Sequence, residues 1–174
     1  MGQHHERAVA LMPLIFRHRS GFGLIEIVLA LAILTVAIPT VSQLTASTIR
    51  SANQGRHRVE AAYLAVEGLE GVRTLRSLGW IANIATQPSG SARCLEISGG
   101  NWALTATSPC TLVGTVYTRT VTFNDVYRDS NHFIAASGTL DAKTKLVTAT
   151  VTWSQLGGTQ SLVFKTYITN HQNN

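Results

Sequence analysis

Gly21-Phe22-Gly23-Leu24-Ile25-Glu26-Ile27-Val28-Leu29-Ala30-Leu31-Ala32-Ile33-Leu34-Thr35-Val36-Ala37-Ile38 decides how the rest of this chain is read. One carboxylate, Glu26, stands near the start of an otherwise uncharged apolar run, directly after the basic stretch Arg17-His18-Arg19-Ser20. Residues 22–41 supply about twenty positions, enough at about 1.5 Å each to cross a hydrocarbon core of roughly 30 Å. A charge in that layer costs roughly 2.5–3.5 kcal/mol on insertion scales, so Glu26 calls for a functional explanation. The basic flank places the N-terminal side in the cytoplasm and the remainder of the chain across the membrane.

These residues resemble the leader and first helix of type IV pilins and of the pseudopilins of type II secretion. The motif covers about a dozen residues, and this chain has Gly23 where the family often has Thr. In that family a prepilin peptidase cuts after the glycine, the new N-terminal Phe is methylated, and a glutamate five residues into the mature chain guides packing into a filament. The resemblance assigns those roles to Gly21, Phe22 and Glu26. It implies a leader at 1–21, a transmembrane and assembly helix at 22–41, an amphipathic helix at 42–78 and a strand-rich head at 79–174. The expected fold is α+β, a long N-terminal helix on a small antiparallel sheet. The implied partners are the prepilin peptidase, other pilin subunits, the pilus assembly platform and the membrane. The chain would be single-pass in the inner membrane with its C-terminal domain exported, then part of a filament outside the cytoplasmic membrane.

Cleavage would leave a cationic amine at Phe22, so each subunit would carry one positive and one negative group in an apolar layer. In a staggered bundle the Glu26 of one chain meets the Phe22 amine of its neighbour, which removes two unpaired charges from a low-dielectric core. A solitary carboxylate snorkelling to the interface is the plainer alternative. An ordinary secretory signal has an apolar core of roughly 7–15 residues and a small-residue cleavage site, unlike this longer run. An uncleaved membrane anchor also competes, but it leaves the Gly21–Phe22 junction and Glu26 without a role. Ala10-Leu11-Met12-Pro13-Leu14-Ile15-Phe16 is too short to span a membrane and belongs to the leader.

Pro39 lies inside the predicted helix, where it removes one backbone hydrogen bond and clashes with the preceding turn. A kink or a locally melted segment is expected there.

Charged residues make up 13% of the 174 positions, about half of the roughly 25% usual for soluble domains. Such a surface suits packing against copies of itself. The net charge of +5 includes Arg7, Arg17 and Arg19 against Glu6 in the leader, so the remainder carries only +3. That is weak ground for nucleic-acid binding. The two cysteines, Cys94 and Cys110, both follow the membrane segment. In an exported domain such a pair reads first as a disulfide closing a loop of about 15 residues, worth roughly 3 kcal/mol in the chain-entropy model. Two buried free thiols are the alternative, and no further cysteine completes a zinc site.

From Ser42 to Leu78, Val59, Ala62, Tyr63, Val66, Leu69, Val72, Leu75 and Leu78 recur at helical spacing, an apolar stripe expected to bury against the sheet. Glu60 and Glu67 alternate with arginines on a solvated or subunit-facing side, and Glu70 stands three residues before Arg73. Gly55, Gly68 and Gly71 weaken a helix and suggest either close approach of another element or simple tolerance. Beyond Gly79, residues 82–114 read as a connecting loop with short strands at Leu95–Ile97 and Ala103–Ala106. Strands are then predicted at Tyr117–Val126, Phe133–Ser137, Leu146–Trp153 and Ser161–Ile168. Turn-prone segments, Asp129-Ser130-Asn131, Asp141-Ala142-Lys143 and Gly157-Gly158-Thr159, punctuate an antiparallel meander.

No catalytic constellation, cofactor motif or metal-ligand spacing stands out. His57, His132 and His171 are far apart in sequence without a paired carboxylate, and His4, His5 and His18 belong to the leader. Asp125, Asp129 and Asp141 read as turn and edge residues before calcium ligands, and Trp102, Trp153 and Tyr127 as core before an exposed aromatic patch. The reading is a structural, non-enzymatic type IV pilin-like subunit. A minor pilin or type II secretion pseudopilin, and an uncleaved membrane-anchored adhesive module, are the alternatives.

Overall fold

The computed structural model describes residues 23–106, 110–112, 115–155 and 157–171. One helix, α1, runs Leu24–Leu78, and the chain divides into two units between Ile49 and Arg50, inside that helix.

In the first unit the described residues are all helical after Gly23 and all exposed except Ala37. Leu, Ile and Ala hold the helix by propensity, and no described residue covers it. The hydroxyls that interrupt the apolar run bond back to their own helix. Thr35 Oγ1 donates to the Ala32 carbonyl at 2.8 Å, Thr40 to Val36 and Ala37, Ser42 to Ile38, and Thr45 to Val41. These side chains therefore need no water, the condition a lipid-facing segment must meet. The helix continues through Pro39 with no melted segment.

The second unit carries the sheet. After a short π-helical turn, Ile81–Ala85, come β1 (Ala92–Ser98), β2 (Asn101–Thr105), β3 (Tyr117–Arg128), β4 (Ile134–Ala135), β5 (Thr139–Gln155) and β6 (Gly158–Thr169). The sheet is open and antiparallel in the order β2-β1-β3-β5-β6, with β4 on β3. Gly99 and Gly100 have φ of 59° and 83°, the pair of positive values a two-residue hairpin turn requires, and they join β1 to β2.

Two strand expectations are corrected. The sheet is not a simple meander, because β2 lies outside β1 and the chain must pass it to reach β3. Asp141-Ala142-Lys143 is no turn but part of β5. Between the pairs Asp125↔Lys145 and Tyr127↔Leu140 the register shifts, so β5 accommodates the extra residues as an irregularity rather than a reversal. The Asp141 carboxylate accepts the Lys143 amide at 3.0 Å, which is the local bonding that made the segment look like a turn.

The helix stripe is buried as expected at Leu69, Val72 and Leu75 and is corrected at its other positions. Ala61, Ala65, Gly68, Leu69, Gly71, Val72 and Leu75 are buried, whereas Val59, Tyr63, Val66 and Leu78 are exposed. The sheet's inner face presents Tyr117, Val121, Phe123, Val147, Val151 and Trp153, all buried. Such bulky strand residues need a shallow partner, and the small side chains of α1 provide it. A Cβ at Gly71 would lie 2.9 Å from both Leu95 Cδ2 and Trp102 Cδ2. Close approach therefore explains this glycine, whereas nothing lies within 4 Å of a Cβ at Gly55.

Candidate functional site

The first candidate is the uncovered surface of α1 before Arg50. Gly21 and Phe22 lie outside the described residues. Glu26 sits in the first helical turn, and both its backbone N–H and that of Ile27 donate to the Gly23 carbonyl, at 3.0 and 3.3 Å. A carboxylate in the first turn of a helix is favoured by the helix dipole by roughly 0.3–1 kcal/mol at exposed sites. Around it Leu24, Ile25, Val28, Leu29 and Leu31 are all exposed. The segment is long and apolar enough to cross a membrane.

Cys94 and Cys110 form a disulfide, with Cα atoms 4.9 Å apart and a sequence separation of 16. The register shows what it joins. Cys94 pairs with Thr120 on β3, and the Cys110 carbonyl accepts the Arg119 amide at 3.0 Å. Thr111 then bridges to Thr118, and the Leu112 amide donates to the Tyr117 carbonyl. The bond thus splices two segments that share one edge of β3, where the pairing of β1 with β3 ends and residues 110–112 take over.

Two polar groupings escaped the sequence reading. His57 Nδ1 lies 2.7 Å from the Tyr117 hydroxyl, which donates to Glu60 Oε2 at 2.9 Å. With the phenolic proton on the Glu60 side, the Tyr117 oxygen accepts from His57 Nδ1–H. Burial, then the hydrogen bond and charge of Glu60, push the Tyr117 phenol up to about 12, with Arg56 opposing. His57 thus has a carboxylate behind it after all, reached through a strand tyrosine. The only trace of this in the sequence is the three-residue spacing of His57 and Glu60.

Arg119 is the second. Its guanidinium is buried on the inner face, donates to the carbonyls of Leu64 (3.2 Å) and Leu95 (3.1 Å), approaches Glu67 Oε2 at 3.3 Å and stacks 5.3 Å from the Trp102 ring. Burial lowers its pKa and the Glu67 carboxylate opposes that. A lone arginine amid threonines, Tyr117-Thr118-Arg119-Thr120-Val121, gives no sign of this in sequence, because alternation alone does not say which face is buried. Glu70 pairs with Arg73, as the spacing suggested.

The aspartates hold the far end of the sheet. Asp125 pairs with Lys145 at 2.6 Å, and Asp129 Oδ1 accepts the amides of Asn131 and Phe133 at 2.8 and 2.9 Å. Asp141 accepts from Arg128 Nε at 2.6 Å. Burial raises the Asp141 pKa, but bonds from Arg128, Thr144 and the Lys143 amide outweigh it and hold the carboxyl below its ordinary value. Trp153 is core, Trp102 is half-buried against that core, and Tyr127 is exposed. No family model, curated protein or solved structure matches this chain.

Proposed function

We propose that the chain is a type IV pilin-like structural subunit, cut between Gly21 and Phe22, N-methylated at Phe22 and assembled into a filament through its N-terminal helix. The observation that carries this reading is an uncovered apolar helix with one carboxylate, Glu26, in its first turn. In a membrane that surface is solvated by lipid, and in a filament by the same helix of neighbouring subunits. Assembly would exchange lipid for close packing and give Glu26 the Phe22 amine as counter-ion. The disulfide supports export of the sheet-bearing unit to an oxidising compartment. The prepilin peptidase and the assembly platform are the partners this pathway requires.

The N-terminus of the protein from cells with and without a prepilin peptidase tests it. A start at Phe22 only when the peptidase is present is the expected result. A start at Met1 in both would replace the filament subunit with an uncleaved, membrane-anchored binding module. A minor pilin or pseudopilin shares the cleavage and differs in abundance within the filament.

A further inference from the structure

A groove of about 760 Å³ lies between the first turns of α1 in the second unit and the end of β5, lined by Arg50, Asn53, Gln54, His57, Ser154 and Gln155. The four helical residues share one face, at spacings of three, four and seven. Every lining side chain can donate a hydrogen bond, one is a permanent cation, and none is a carboxylate.

Two of these groups are held from behind. Tyr117 engages His57 Nδ1, which leaves Nε2 as the ring nitrogen for a ligand. The Trp153 indole N–H donates to Gln155 Oε1 at 3.4 Å, which leaves the Gln155 amide –NH₂ as donor. Glu60, the nearest carboxylate on the same helix, accepts from Tyr117. The groove thus sets positioned amide and hydroxyl donors beside one acceptor, Nε2 of the neutral His57 ring, and a single fixed positive charge.

From this we infer that the groove binds an acidic sugar, with Arg50 on the carboxylate and the amides and hydroxyl of Asn53, Gln54, Ser154 and Gln155 on the ring hydroxyls. A guanidinium fork matches a carboxylate through two parallel hydrogen bonds. A side-chain amide offers a donor and an acceptor side by side, the pattern of neighbouring hydroxyls on a sugar. The volume falls within the roughly 300–1,000 Å³ of small-molecule sites. A nucleic acid would require several cations along a backbone track, and the groove has one arginine. The inference is independent of the filament reading, because none of the lining residues lies at the cleavage junction or in the 22–41 assembly segment.

The test uses the full chain in detergent micelles, titrated calorimetrically with trigalacturonate and with its neutral methyl ester. Saturable binding of trigalacturonate is expected, with the ester weaker by about tenfold or more, the worth of a charge-assisted hydrogen bond. Arg50→Gln, an exposed substitution expected to leave the melting temperature unchanged, should weaken the acid to the level of the ester. Asn53→Ala should weaken both ligands together. Absence of saturable binding, equal binding of acid and ester, or an Arg50→Gln protein that binds trigalacturonate normally would each overturn the assignment. So would tighter, steeply salt-dependent binding of a single-stranded oligonucleotide in competition, which would make the groove a nucleic-acid contact.

Discussion

Gly68 leaves the space that Arg119 occupies: a Cβ at position 68 would lie 3.0 Å from Arg119 Cδ and 3.6 Å from its Nε. The arginine cannot easily give way, since two carbonyls, a carboxylate and the Trp102 ring hold its far end. A helix glycine and a strand arginine, 51 residues apart in number, therefore form one joint between α1 and the sheet.

Glycine substitutions separate propensity from packing. Gly55→Ala should stabilise the second unit by about 0.5–1 kcal/mol, since the added methyl meets nothing. Gly71→Ala gains the same propensity but forces Leu95 and Trp102 apart, and overpacking costs typically about 1–3 kcal/mol. Thermal unfolding of the full chain in detergent should show the two variants moving in opposite directions. A rise for both would mean that the helix and sheet are less tightly joined than described.

Arg119→Met keeps much of the side-chain volume but strips the Leu64 and Leu95 carbonyls of the guanidinium donor. The Leu64 carbonyl keeps its partner within α1, but the Leu95 carbonyl is left without a donor, and a buried acceptor left unsatisfied costs about 1–3 kcal/mol, so this substitution should destabilise clearly. Glu67→Gln, which leaves the guanidinium with both carbonyls, should cost far less. Urea titration of the two variants gives the comparison directly.

Removing the disulfide by Cys94→Ser with Cys110→Ser should cost about 3 kcal/mol, the chain-entropy value for a loop of this size. Because the bond splices segments along β3, hydrogen exchange should accelerate first at the Arg119 amide, which donates to the Cys110 carbonyl. Uniform acceleration across the sheet would contradict that local role.

Stability should fall at both ends of the pH scale for different reasons. The folded Asp141 carboxyl sits below its ordinary 3.8, so the unfolded chain binds that proton more tightly. Its contribution is complete above about pH 4 and disappears as the pH falls through the folded value. Asp141→Asn should therefore destabilise at neutral pH and flatten the acid limb.

Tyr117 has the opposite sign. Its folded pKa of about 12 exceeds the ordinary 10.0, so its contribution is complete below 10 and is lost as the pH rises towards 12. Tyr117→Phe should remove that alkaline loss. Unfolding free energies measured across the range distinguish the two limbs.

Glu26→Ala should leave membrane insertion and cleavage intact and reduce recovery of the subunit in sheared filaments, whereas Glu26→Asp should recover part of it. Normal filament incorporation of the alanine variant would remove the counter-ion role proposed for Glu26.

The sequence by itself determined the parts whose physics is local. A run of about twenty positions that is apolar but for Glu26, Thr35 and Thr40 reads as a membrane-length helix, which made the first part of Leu24–Leu78 legible. Alternating Val, Thr and Tyr located β3, β6 and the second half of β5, and two cysteines in one short interval located the disulfide. What only the tertiary structure decided is which faces meet. In α1 the expected stripe is buried only at Leu69, Val72 and Leu75, and the contact shifts to Ala61, Ala65, Gly68 and Gly71 because the bulk of it comes from the sheet. The Arg119 joint, the Tyr117 link between His57 and Glu60, and the donor-lined groove beside them join residues from distant segments. Hydrophobic periodicity reports how a segment divides its own surface, but it carries no information on which distant backbone carbonyl or hydroxyl will arrive to complete a polar side chain's bonds.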